Sequence, residues 1–354
     1  MLSRFVVSGL TCLALGACGG QASPPAPGNS ALARSSASAL ASTVSSGTAS
    51  PATVRIAYQN DAASFAPLWI AQDKGLFKNN GLDTQVTSLT GQAPVQGLTG
   101  GSLEMADVGN NTVQAIASGA NLTYIAETTQ FYGLALYGGP SVQKVGDLIG
   151  HTVGVPGVKG GGPESALMAL LSRESVDVSK VQILYMAGAS AALAALQTNS
   201  VQAAMLTSPD TLRARQAGLR LVVDMIPLKI HSIGLGLVVR KDWAQQHQDV
   251  VQSVLKAYLQ GVKEYRTSPD SGKAAISKWL KLDDTALVDE SYATSAPNMP
   301  AYPLSREADF QDNISRSADD KVKAHKPSDF YDNSYLQGLE SFANGLWPDG
   351  IPTI

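Results

Sequence analysis

Amides, hydroxyls and glycines in this sequence gather just after short β-like runs and just before helical ones. Gln59 follows Val54–Tyr58, Gln92 sits in Thr90-Gly91-Gln92 after Thr84–Leu89, and Asn110, Asn111 and Thr112 follow Met105–Val108. Gln130 and Phe131 follow Thr123–Thr128. Further along come Lys159 with Gly160, Gly161 and Gly162, then Met186 beside Ala187, then Thr207 and Ser208. Such groups hold a molecule rather than transform it. A helix start leaves N–H groups unpaired and carries the positive end of the helix dipole, each contribution being roughly 0.3–2 kcal/mol. These positions are therefore read as ligand-binding residues, suited to a small polar anion. Asn110, Asn111 and Thr112 also suit helix capping, but one cap is needed and three polar residues are present.

Reactive chemistry has thinner support. Gly160-Gly161-Gly162-Pro163 precedes a helix like a phosphate loop, yet lacks the G-K-[ST] that nucleotide hydrolysis requires. Gly188-Ala189-Ser190-Ala191-Ala192 falls at a strand-to-helix junction like a nucleophile elbow. A serine hydrolase using Ser190 would need a histidine beside it, and the spacing of His231, His247 and His325 places none there. Ser190 as a helix N-cap is the simpler account. H-E-x-x-H, C-x-x-C and EF-hand patterns are missing, so no metal and no cofactor is expected, and the chain is read as a binder and not an enzyme. Among aromatic residues Phe65, Trp69 and Tyr185 are assigned to cores, and Phe131 alone to ligand stacking. Arg173, Arg213, Arg215 and Arg240 lie within or beyond helices, so no arginine is expected to guard the site.

The elements that must position these residues alternate strand and helix. The runs 54–58, 84–89, 105–108 and 123–128 are strands separated by helices, and the pattern restarts with strands near 153–155, 181–185, 203–206 and 221–224. Such βαβ spacing predicts an α/β protein with mostly parallel sheets. Residues 233–239 read as one more strand. Helical stretches follow at 248–265, 272–280, 284–292, 305–323 and 334–344. Two lobes are expected, the first built from 52–136 and 231–354 and the second from 137–230. In open parallel sheets ligands bind beyond the carboxyl ends of the strands, which places the site in a cleft between the lobes.

The chain's N-terminal end addresses it to the cell envelope. Arg4 precedes an apolar run, Phe5 to Leu15, that is too short to span a bilayer. Small residues then lead to Cys18. Both cysteines, Cys12 and Cys18, fall in residues 1–18, which leaves the remaining domain without a disulfide. Residues 19–51 are almost wholly Gly, Ala, Ser, Pro and Thr and read as a flexible tether with ends roughly 30 Å apart. A net charge of −3 gives no electrostatic case for nucleic acid.

Several segments in order resemble a known family. Leu15-Gly16-Ala17-Cys18 resembles the lipobox of bacterial lipoproteins, which implies lipidation of Cys18 and anchoring to a membrane. Val54-Arg55-Ile56-Ala57-Tyr58 with Ala66-Pro67-Leu68-Trp69-Ile70-Ala71, then Lys74-Gly75-Leu76-Phe77-Lys78 with Gly81-Leu82-Asp83, are similar to segments of the nitrate, sulfonate, taurine and thiamine-precursor class of ABC-transporter substrate-binding proteins. Gly100 to Gly109 and Val145 to Val155 add the family's "L-x-x-G-x-h-D-h-G" and "h-x-D-L-K-G-K-x-h-G-V" patterns, with Ile149 where the lysine before Gly150 is usual. The resemblance implies the two-lobed type II periplasmic-binding-protein fold with a helical C-terminal region. It further implies an extracytoplasmic monomer that captures a small molecule for the membrane subunits of an ABC importer. A sulfonate or related organic anion is the expected ligand, with a thiamine-precursor-like heterocycle as the alternative. The cysteine-rich motif of the related pyrimidine-synthesising enzymes is missing.

Overall fold

The computed structural model describes residues 52–317 and 319–354. The expected signal segment 1–18 with Cys18 and the expected tether 19–51 lie outside the described residues. The strands are β1 (Ala52–Gln59), β2 (Leu82–Leu89), β3 (Met105–Gly109), β4 (Leu122–Phe131), β5 (Ala135–Gly138), β6 (Thr152–Pro156), β7 (Gln182–Met186), β8 (Ala203–Leu206), β9 (Arg220–Asp224) and β10 (His231–Arg240). They form two five-stranded sheets, ordered β2-β1-β3-β10-β4 and β7-β6-β8-β5-β9.

Each sheet is parallel apart from one strand. β1 runs parallel to β2 and β3, while β10 is antiparallel to both of its neighbours. In the second sheet β6 runs parallel to β7 and β8, and β5 is antiparallel to β8 and β9. The two antiparallel strands are those that arrive from the other sheet: β5 directly follows β4, and β10 follows β9. Each lobe thus lends the other its fourth-position strand, and two connections cross between them. The expected boundary at residue 136 falls inside β5, so the chain has already crossed by residue 135.

Burial follows position in the sheet. All five residues of β3 are buried, as a strand covered on both faces requires, whereas the edge strand β2 alternates in and out. Glycine lets β10 approach β4 closely. A Cβ on Gly236 would stand 2.6 Å from the Ala126 carbonyl oxygen, and the β10–β4 register shifts around this point. The C-terminal helices pack on the first sheet. There Trp69 stacks on Trp279, with centroids 5.7 Å apart and planes inclined by 2°. Gly261 of the helix Gln248–Thr267 brings that helix against the Pro67 backbone.

Two expected helices differ, and the strand β5 and the helix Lys241–Gln246 are additional to the expected elements. The stretch 305–323 is two helices, Glu307–Arg316 and Asp320–Lys323; Asp319 caps the second by accepting from the Lys321 N–H at 2.9 Å. The stretch 334–344 is likewise split, into Ser334–Gln337 and Glu340–Leu346, with Gly338 between. Among the described residues no helix is long and apolar enough to cross a membrane.

Candidate functional site

A cleft of about 600 Å³ opens between the two sheets at the carboxyl ends of their parallel strands. The first lobe contributes Gln59 at the end of β1 and Asp61 after it, Gly109 at the end of β3, and Thr129 and Phe131 of β4. The second contributes the loop after β6 with Gly161 and Gly162, the turn Ala187–Gly188 after β7, and Thr207 and Ser208 after β8. Helices start at Gly162 and Ala189 on this second wall, and neither has a side-chain cap. Gly162 and Ala189 both line the cleft, so the backbone of these two helix starts borders it.

Of the residues read as ligand-binding, Gln59, Phe131, Gly161, Gly162, Thr207 and Ser208 line this cleft. Gln59 is clamped there: its Oε1 accepts from the Gly109 N–H at 2.9 Å, and its Nε2 donates to the Gly91 carbonyl at 2.9 Å. Asn110, Lys159 and Gly160 line a second cavity of about 680 Å³, with Tyr132 shared between the two. Asn110 occupies the N-cap position of the helix Asn111–Ala117 without capping it. Its Nδ2 donates instead to Ser165 Oγ of the other lobe at 2.6 Å. Lys159 is exposed, and Gly160 supplies a turn at φ +79°, its N–H donating to Glu164.

The remaining expected residues line neither cavity. Asn111 is buried and donates to the exposed Gln92 at 3.1 Å. Thr112 is fully buried. Gln130 donates to the Leu304 carbonyl at 3.0 Å because successive strand side chains point to opposite faces, and Phe131 takes the cleft. Met186 packs inward, its Cε 3.7 Å from where a Cβ on Gly154 would stand. Three expected core aromatics divide. Trp69 is core, Phe65 is buried yet also lines the cleft, and Tyr185 donates to Glu164 at 2.7 Å in the second cavity.

Ser190 lines the cleft but has no nucleophile's environment. Gly188, not Ser190, holds the N-cap position of the helix Ala189–Gln197, and Ser190 Oγ donates to Asp210 Oδ2 at 2.8 Å. Asp210 also accepts from Arg213 at 2.9 Å. His231, one of the histidines in the sequence, lies against Phe131 with centroids 4.4 Å apart, and burial lowers its pKa. It is not among the cleft-lining residues. Among the described residues no group of three His, Cys, Asp or Glu side chains is placed to hold a metal.

Several lining residues went unread in the sequence. Arg215, set aside as a helical residue, reaches the cleft and pairs with Glu290 at 2.6 Å. Glu290 and Ser291 belong to the helix Thr285–Ser295, which packs with the first lobe. Ser208 and Ser291 share a hydrogen bond at 3.1 Å, so with Asn110–Ser165 three side-chain contacts run from lobe to lobe. The Arg215 and Glu290 side chains are 45% and 22% exposed, and a pair this open contributes only about 0–1 kcal/mol. Nothing in the spacing of residues 285–295 announces that this helix returns to the mouth of the cleft.

The model of the NMT1/THI5-like family matches residues 62–272, more than half of the chain. The chain belongs to the NMT1/THI5-like family. A protein of Brucella abortus, provisionally named a binding protein, is 24% identical over 297 residues that cover 80% of this chain and 91% of its own. Among solved structures, the alkanesulfonate-binding protein of Xanthomonas axonopodis, bound to MOPS, superposes with a TM-score of 0.65 at 19% identity, covering 82% of this chain and 98% of its own. The periplasmic nitrate-binding protein of Synechocystis gives 0.68 at 13%, covering 85% and 91%. A desulfurization enzyme gives 0.61 at 13%, covering 82% and 99%. This member of the NMT1/THI5-like family therefore has the periplasmic-binding-protein fold, a scaffold on which both binding proteins and an enzyme are built.

Proposed function

We propose that the protein is an extracytoplasmic substrate-binding protein that captures a small solute in the interlobe cleft and presents it to the membrane subunits of an ABC importer. The observation that carries this reading is the cleft itself: about 600 Å³, walled by both lobes, and bridged at its mouth by an exposed ion pair and a serine pair. A solute touching both walls gains affinity only when the lobes close, so binding shifts the population to the closed form. The absence of an imidazole beside Ser190, whose hydroxyl is engaged by Asp210, supports capture without chemistry. The segment ending in Cys18 supports a lipid anchor, with residues 19–51 as the tether between membrane and domain.

A thermal-shift screen of the purified protein against small envelope solutes tests the reading. The expected result is a raised melting midpoint with one compound class, growing with concentration and without turnover. If no solute moves the midpoint, the reading fails. The anchor has its own test: Cys18→Ser moves the protein from the membrane fraction to the soluble fraction, and equal membrane recovery of both forms contradicts it.

A further inference from the structure

The cleft and the second cavity lie back to back, and adjacent residues of the chain divide between them. Gly109 lines the cleft and Asn110 the second cavity, while Gly160 lines the second cavity and Gly161 the cleft. Pro163 and Glu164 divide in the same way. The wall between the two spaces is therefore thin and made largely of backbone turns. The Asn110–Ser165 bond at 2.6 Å ties its two sides together across the lobes.

Among the described residues only Tyr132 lines both cavities. It is 3% exposed, and its N–H donates to the Ile230 carbonyl at 3.4 Å, so the two connections that cross between the lobes meet at its backbone. Its hydroxyl lies beside Ser232, Ser165 and Arg316, which line the second cavity and not the cleft. On the cleft side it is followed by Gly133, Leu134 and Ala135, which bring no polar side chain to this end of the site. Beyond the wall, Met168, Val181, Ile183 and Val322 line the second cavity, so a tail admitted past residue 132 finds apolar surface there.

We infer that Tyr132 sets the length of solute that the cleft accepts: a compact molecule with a polar head and a short apolar end, the end stopping against Tyr132. This rests on the solute-binding reading above. The ring fills the passage that would otherwise join the two cavities, and the hydroxyl is held on the far side by polar neighbours from both lobes.

The test is thermal-shift and calorimetric titration of the full protein with n-alkanesulfonates, n-alkylamines and n-alkanoates, each series running from methyl to octyl. In the series that binds, affinity for the parent is expected to rise about fourfold with each buried methylene, then to drop by roughly tenfold or more at the first tail that meets Tyr132. In Tyr132→Ala the drop moves to longer tails, and Tyr132→Phe, which restores the ring, brings it back. Tyr132→Leu keeps apolar bulk in the second lobe's core and makes the same comparison where the alanine variant fails to fold. A parent affinity that climbs through octyl overturns the inference, as does a drop that stays in place once the ring is removed; both leave solute binding standing. Silence in all three series, with a hit elsewhere in the solute screen, also overturns it. Silence throughout defeats the binding reading instead.

Discussion

The two lobes share a topology and divide the work. Each has four parallel strands and one antiparallel strand taken from its partner, yet their chemistry differs. The first lobe encloses Asp107, Glu127 and Asp309 in its interior and carries the C-terminal helices over its sheet. The second lobe is thinner: Leu184 of β7 and Leu221 of β9 are 47% and 42% exposed. Toward the cleft the first lobe presents Gln59, Thr129 and Phe131, and the second presents the helix starts at Gly162 and Ala189 with Thr207 and Ser208. The first lobe is a heavy, polar-cored platform, and on the proposed reading the lighter second lobe is the lid over it.

Matched truncations give the largest contrast. Leu68 is fully buried in the first lobe, so Leu68→Ala is expected to cost about 2–5 kcal/mol in chemical denaturation. Leu184→Ala in the second lobe is expected to cost under about 1 kcal/mol. Equal losses would erase the distinction between platform and lid.

The buried acids come next. Burial pushes the Asp107 carboxyl up to about 7, and Thr128 Oγ1 donating at 2.8 Å opposes this only in part. The fold therefore holds a proton that the unfolded chain releases near pH 4. Stability is lost as pH rises from about 4 to about 7, and Asp107→Asn removes this residue's share of the dependence. The variant is expected to gain on the order of 4 kcal/mol over the parent at pH 8, with the gap narrowing toward pH 4. Glu127 and Asp309 are also raised, chiefly by burial, and tilt the curve the same way. A parent whose stability rises across that range contradicts the assignment.

The smallest effect belongs to the latch. Arg215→Ala is expected to change stability by less than about 1 kcal/mol while enlarging the ligand-free protein in solution scattering, because one lobe-to-lobe contact is gone. A large stability loss would mean the lobes form one rigid unit.

Much of this architecture was legible because strand ends announce themselves. The runs after which Gln59, Phe131, Gly161 and Thr207 were placed are strands or helix starts, and those residues do line the cleft. What failed was direction. Period-two alternation sends Gln130 away from the cleft and Phe131 into it, and a strand's facing is set by the sheet it joins. The strand Ala135–Gly138 is four residues long between glycines, too short to show a period. Arg215 and Glu290 meet through tertiary packing of two helices separated by 75 residues, which no local pattern encodes.

The central claim is capture without conversion. Isothermal titration with the solute identified by the thermal screen, followed by chromatography of the same mixture, tests it most directly. Capture without conversion predicts saturable binding of a single solute per chain and its full recovery unchanged. Consumption of the solute, with a new product in the chromatogram, would contradict it and move the protein to the enzymatic branch of this fold.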